Sequence, residues 1–138
     1  MQPDAPQRPL PVTNEDTHAF WTGGERGELM IYRCENCRTY VHPPAPFCPE
    51  CESRKVGPEP VSGKATVATF TVNHRQWLPG LPVPYVVALV ELDEDPTVRL
   101  PTNIVGIDPE KVTIGMPVEV TFEQVEDLFL PMFQPRKD

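Results

Sequence analysis

Two Cys-x-x-Cys pairs, Cys34-Glu-Asn-Cys37 and Cys48-Pro-Glu-Cys51, are the residues of this chain best arranged for chemistry. Each pair can wrap a tight turn whose backbone amides point at the sulfurs, so that both thiolates reach one metal. Two such turns complete a tetrahedral site of four sulfurs, which suits zinc. The ten residues between the pairs, Arg38 to Phe47, include Pro43, Pro44 and Pro46. That stretch is too short and too proline-rich for a helix but long enough for a strand and a return, as in a zinc ribbon. Two disulfides, or an iron site in the same sulfur cage, are the alternatives. Four thiolates leave no open position for water or substrate, so a catalytic zinc is disfavoured. His42, between the pairs, is then a surface or supporting residue and not a ligand.

Few other residues suggest catalysis. No Gly-x-Ser-x-Gly is present, and the histidines His18, His42 and His74 fall in three separate segments. The chain is therefore expected to have no catalytic residues of its own. His74 and Arg75 lie in a loop with Trp77 and before Tyr85. Such a group offers charge and stacking to an anionic, aromatic ligand. Phe20 and Trp21 are adjacent, so both cannot face one core; one packs on the domain, and the other either packs against the knuckle with its helix or is available to a partner.

Composition bounds the rest. A chain of 138 residues is one domain or two very small ones. A knuckle this small cannot stand on its own apolar core, so the metal takes the core's place. Twelve basic against twenty acidic residues give a net charge of −8, which disfavours nonspecific nucleic-acid binding. A nucleic-acid-binding ribbon and barrel module is nonetheless the alternative function, because both folds commonly serve that role. The longest wholly apolar run, Tyr85 to Val90, is far too short to span a bilayer. The N-terminus reads as no secretion signal, and four metal-binding cysteines fit the cytoplasm. Nineteen prolines predict few helices.

The elements follow from pattern. Residues 1–12 read as an extended arm. Thr13 to Gly24 predicts a short helix, with Thr13 or Asn14 as cap and Gly23-Gly24 as stop. Glu28 to Arg33 predicts a strand into the first knuckle, and Val56 to Pro60 a connection that bounds residues 13–60 from residues 61–135. Beyond Ser62 the pattern is all β: Lys64–Val72, Tyr85–Leu92, Thr97–Val105, Pro117–Glu123 and Asp127–Phe133, with a helical turn at Asp108–Lys111. Five short strands predict an OB-type barrel, with Val67, Val87, Leu89, Ile104, Val118 and Val120 in its core. The fold class is thus mainly β: an N-terminal helix, a four-cysteine zinc ribbon and a five-stranded OB barrel.

In this order the residues resemble a family of zinc-ribbon/OB-fold proteins associated with acyl-CoA enzymes, formerly a domain of unknown function. The resemblance rests on Phe20-Trp21, the two cysteine pairs, Pro43-Pro44, Ser62-Gly63, Phe70-Thr71-Val72 with His74-Arg75, Pro84 to Val90, Asn103 with Val105-Gly106, Ile114-Gly115-Met116 and Leu130-Pro131. Arg38 stands where the family often has glycine, a departure that bears on the knuckle's exit. The resemblance implies a non-catalytic accessory subunit with one structural zinc. Its partner would be a thiolase-like enzyme, either a thiolase or a steroid side-chain aldolase of the lipid-transfer-protein type, or an acyl-CoA hydratase. Its barrel would help form the acyl-CoA channel of that partner, with His74, Arg75, Trp77 and Tyr85 placed to meet the phosphates and adenine of CoA by charge and stacking.

Overall fold

The computed structural model describes residues 10–77 and 79–137. Residues 1–9 of the expected arm lie outside them. Among the described residues one short helix, α1 (His18–Thr22), runs into a 3-10 turn at Gly23–Arg26. The predicted start at Thr13 or Asn14 is a turn and not yet helix. Asn14 Oδ1 accepts from the backbone N–H of Asp16 and Thr17, which holds these residues in a side-chain-stabilised turn. Regular helix therefore begins four residues later.

Two strands, β1 (Leu29–Cys34) and β2 (Val56–Val61), pair antiparallel from Leu29↔Val61 to Cys34↔Val56. The segment Val56 to Pro60, expected as a connection, is this second strand. Its prolines are tolerated because the sheet has only two strands and β2 has a free edge. Five further strands close a barrel in the order β3-β4-β5-β7-β6: β3 (Lys64–Asn73), β4 (Tyr85–Leu92), β5 (Arg99–Ile104), β6 (Pro117–Val125) and β7 (Leu128–Pro135). A 3-10 turn at Pro109–Lys111 precedes β6, capped by the Asp108 side chain on the Glu110 N–H. Among the described residues no helix is long and apolar enough to cross a membrane.

The phase of two strands differs from expectation. In β4, Val86, Ala88, Val90 and Leu92 face the core, while Val87 is 40% exposed and Leu89 lies half-buried on the same outward side. Tyr85 to Val90 is apolar on both faces, so alternation alone cannot set its phase. In β3 a register shift between Val67 and Thr69 accommodates one extra residue. Ala65 and Val67 point inward before the bulge; Phe70 and Val72 pack on the core after it. Val67, Ile104 and Val118 are buried as expected, and Val120 packs at the core's margin.

The ribbon is not a separate body. Leu29 and Ile31 of β1 belong to the same apolar cluster as the barrel's Val90, Leu92 and Phe133. At the barrel's other margin Arg136, 12% exposed, ties three segments together. Its Nη2 donates to Ala65 O at 2.8 Å and Val118 O at 3.2 Å and pairs with Asp93 at 3.1 Å. The phase of β4 gives a paired test. Val90→Ala should lower unfolding stability by roughly 1–3 kcal/mol and Val87→Ala by less than about 0.5 kcal/mol, read from urea midpoints at unchanged m.

Candidate metal centre and adjoining grooves

The two knuckles have the same local build. The N–H of Arg38 donates to Cys34 O at 3.0 Å, and that of Glu52 to Cys48 O at 2.9 Å. Both residues after a pair take the left-handed conformation, Arg38 at φ 66° and Glu52 at φ 64°. That explains why glycine suits the first position. Arg38 is held there by side-chain contacts: Nη1 and Nη2 each reach the Glu59 carboxylate at 2.9 Å, and its carbonyl accepts from Arg33 Nε at 2.8 Å. The knuckle's exit is thus tied to both β1 and β2.

The sulfurs converge. Cys34 Sγ lies 3.6 Å from Cys51 Sγ, and Cys37 Sγ 3.6 Å from Cys48 Sγ. All four lie within 4.8 Å of one another. Zn–S bonds of about 2.3 Å in a tetrahedron separate sulfurs by about 3.8 Å, so the cage has the size zinc needs. A disulfide needs about 2.05 Å, and the four thiols are free. Hydrogen bonds tune the ligands. The Cys37 N–H approaches Cys34 Sγ at 3.5 Å and holds that thiol below its usual range. Thr39 Oγ1 lies 3.1 Å from Cys37 Sγ; its hydroxyl stabilises the thiolate and brings Cys37 down to about 6. Sequence reasoning missed Thr39, although a hydroxyl two residues past a cysteine is a readable signal. His42 takes no part in the cage; it is half-buried beside Phe20, and burial pushes its imidazole down toward neutrality.

At the start of the β3–β4 loop, Asn73 organises two of the residues expected to meet CoA. Its Nδ2 donates to Arg75 O at 2.8 Å, and its Oδ1 accepts from Trp77 Nε1 at 3.2 Å. Arg75 Cζ then sits 4.4 Å from the Trp77 ring centroid, and the ring is 63% exposed. His74 is exposed beside them. Tyr85 opens β4 half-buried, on the outward side opposite Val86.

Phe20 and Trp21 form a T-shaped pair with ring centroids 4.8 Å apart. Phe20 packs against the barrel's core cluster. Both rings line a groove of about 440 Å³ with Leu10, Pro11, residues 100–103 of β5 and residues 130–133 of β7. A second cavity of about 210 Å³ shares Phe20, Trp21, Leu100 and Pro101 and extends to His42 and Pro44. The strand residues of this groove were not singled out from sequence. The signal for them is Pro101 and Pro131, since proline inside a strand marks an edge or a break in pairing.

Comparison with known proteins agrees with this architecture. Residues 21–57 match the rubredoxin-like zinc ribbon domain of ChsH2, and residues 58–123 its C-terminal OB-fold domain. The chain belongs to the ChsH2 (DUF35) family. A probable enoyl-CoA hydratase alpha subunit of Thermomonospora curvata is 43% identical over 93% of this chain and 40% of its own length. The 3-oxo-4,17-pregnadiene-20-carboxyl-CoA hydratase alpha subunit of Mycobacterium tuberculosis is 38% identical over 98% of this chain and 42% of its own. The chain thus spans about two-fifths of the length of these relatives. A DUF35 domain-containing scaffold protein of Methanocaldococcus jannaschii is 36% identical over 75% of this chain and 73% of its own length. Among solved structures, a chain of the Ltp2–ChsH2(DUF35) aldolase superposes with a TM-score of 0.83 at 40% identity, covering 91% of this chain and 98% of that one. This DUF35 chain has the ribbon and barrel described above.

Two outcomes check the metal centre. Cys48→Ser should lose zinc and lower the melting temperature, measured by metal analysis and thermal unfolding, because the ribbon has little core to replace the metal. Thr39→Val removes the bond that lowers the Cys37 pKa, so protons compete for that thiolate at higher pH. On acidification this variant should release zinc at a higher pH than the parent, followed with a chromogenic chelator.

Proposed function

We propose that this chain is a non-catalytic accessory subunit of a thiolase-like acyl-CoA enzyme, a thiolase or a steroid side-chain aldolase, and that it helps form the partner's acyl-CoA channel. The observation that carries the reading is the likeness to the DUF35 chain of the Ltp2–ChsH2 aldolase, which extends over 91% of this chain at 40% identity. A hydratase is the second class of partner, supported by relatives of 43% and 38% identity that are named hydratase alpha subunits. One zinc per chain sits in the four-thiolate cage and acts structurally, holding the ribbon so that it can dock. The reduced cysteines fit the cytoplasm, where we place the complex.

Chemistry falls to the partner in this reading, and the barrel supplies contacts. The Asn73 bonds hold Arg75 and Trp77 side by side before any ligand arrives, which lowers the ordering cost of binding. A guanidinium beside an exposed indole matches the phosphates and adenine of CoA, with His74 and Tyr85 flanking. On a chain of net charge −8, a basic loop is a selective site for an anion.

Affinity capture from the native host, followed by mass spectrometry, should return a thiolase-like or hydratase subunit. Retention on heparin at low salt without such a partner would favour the nucleic-acid module instead. In the assembled complex Arg75→Ala should leave assembly intact and raise the KM for the acyl-CoA by up to about tenfold. Unchanged kinetics would make the loop a bystander.

A further inference from the structure

The four sulfurs of the cage are not equally sheltered. Cys34 and Cys48, the first of each pair, are fully buried, whereas Cys37 and Cys51 are exposed. Backbone amides cover the buried sulfurs. The Cys37 N–H approaches Cys34 Sγ at 3.5 Å, and the Glu50 N–H approaches Cys48 Sγ at 3.4 Å. Of the two exposed sulfurs, Cys37 is held at 3.1 Å by the half-buried Thr39. Cys51 Sγ accepts from the side-chain amide of Asn36, itself exposed, at 3.5 Å. A surface side chain leaves by one rotamer change, and a backbone donor does not. Cys51 is therefore the sulfur that a small oxidant reaches with least obstruction.

We propose that Cys51 is a site of oxidation by hydroperoxides, and that Cys34 resolves it into a disulfide that joins the two knuckles and expels the zinc. Such a switch operates whichever enzyme the chain serves. Zinc holds its cysteines as thiolates, and the thiolate is the form that attacks. With hydrogen peroxide, an S–O bond forms at Cys51 and the O–O bond breaks. The departing hydroxide takes a proton from solvent, and Cys51 is left as a sulfenic acid. Cys34 Sγ lies 3.6 Å from Cys51 Sγ. Its attack forms the S–S bond and breaks the S–O bond, and a second hydroxide leaves and is protonated. Two thiolates have then given two electrons to the peroxide, and two waters result.

Two thiolates remain, half of a tetrahedral set, so zinc passes to solution. They are Cys37 and Cys48, also 3.6 Å apart across the knuckles, and a second equivalent of peroxide closes a second crossed disulfide. A resolving sulfur this near stops the oxidation at the disulfide, which thiols reverse, before the irreversible sulfinic acid. The fold survives the exchange. The β1–β2 ladder and the seating of Leu29 and Ile31 in the barrel's cluster do not pass through the metal, and the crossed bonds staple the knuckles in its place.

The zinc-loaded full chain should be exposed to hydrogen peroxide, with zinc release followed by a chromogenic chelator against a peroxide-free control. Release is expected, and dithiothreitol with added zinc should restore the metal content. Cleavage after Arg33, Glu35, Arg38 and Glu50 puts each cysteine on its own peptide, so mass spectrometry reads the pairing once free thiols are blocked. The expected pairs are Cys34–Cys51 and then Cys37–Cys48. Asn36→Ala uncovers Cys51 without removing a ligand. It should speed release by about threefold or more, with zinc content and melting temperature before oxidation equal to the parent's. Zinc retained under peroxide, disulfides within a knuckle, sulfinic acid at Cys51 in place of a disulfide, or an unchanged rate in Asn36→Ala would each overturn the assignment.

Discussion

A five-stranded barrel closes only if its two last edges meet, and here they meet sparingly. The register of β5 and β7 consists of one parallel pair, Ile104 with Phe133, supported by the Val105 N–H on Phe133 O at 2.8 Å. Every other junction is an antiparallel ladder of three to eight pairs. Prolines on both strands of the seam keep that ladder from extending. Phe133, fully buried, plugs the closure from inside. Upstream of it the strands part, and α1 lays two aromatic rings over the gap. The groove there is a by-product of how the barrel is closed.

The N-terminal helix is short because its task is to cover, not to stand alone. A five-residue helix has almost no intrinsic stability, and α1 contributes no fully buried residue. Its position is held instead by close backbone approach. A Cβ on Gly24 would strike Phe122 and Phe129 of the β6–β7 hairpin, so glycine lets the turn after α1 lie directly on those rings. The ribbon is anchored by analogous economy: two apolar residues of β1 enter the barrel's cluster, and sulfurs organise the rest.

Much of this was legible in the chain. The cysteine spacing announced the cage, and turn residues with alternating runs placed all five barrel strands within a few residues. What escaped were decisions made by tertiary context. The bulge in β3 reverses which of Thr69 and Phe70 faces inward, and a period-two pattern cannot foresee a skipped beat. The apolar run of β4 carries no alternation to read, so Val87 and Leu89 were placed on the wrong face. Val56 to Pro60 looked like a linker because prolines are rare in strands, yet a two-stranded sheet has room for them at its edge. The groove depends on residues about thirty apart in sequence, Leu100 and Leu130, and no local pattern joins them.

The chain passes from ribbon to barrel through one short link. β2 ends at Val61 and β3 begins at Lys64. Between them the Ser62 N–H donates to the Glu94 carboxylate at 2.6 Å, and Gly63 turns through φ 81° where a Cβ would strike Val120. Such a joint has neither slack nor spare length. Whatever turns the ribbon therefore turns the barrel with it, as a handle turns a blade, through two residues that lie outside the cysteine cage.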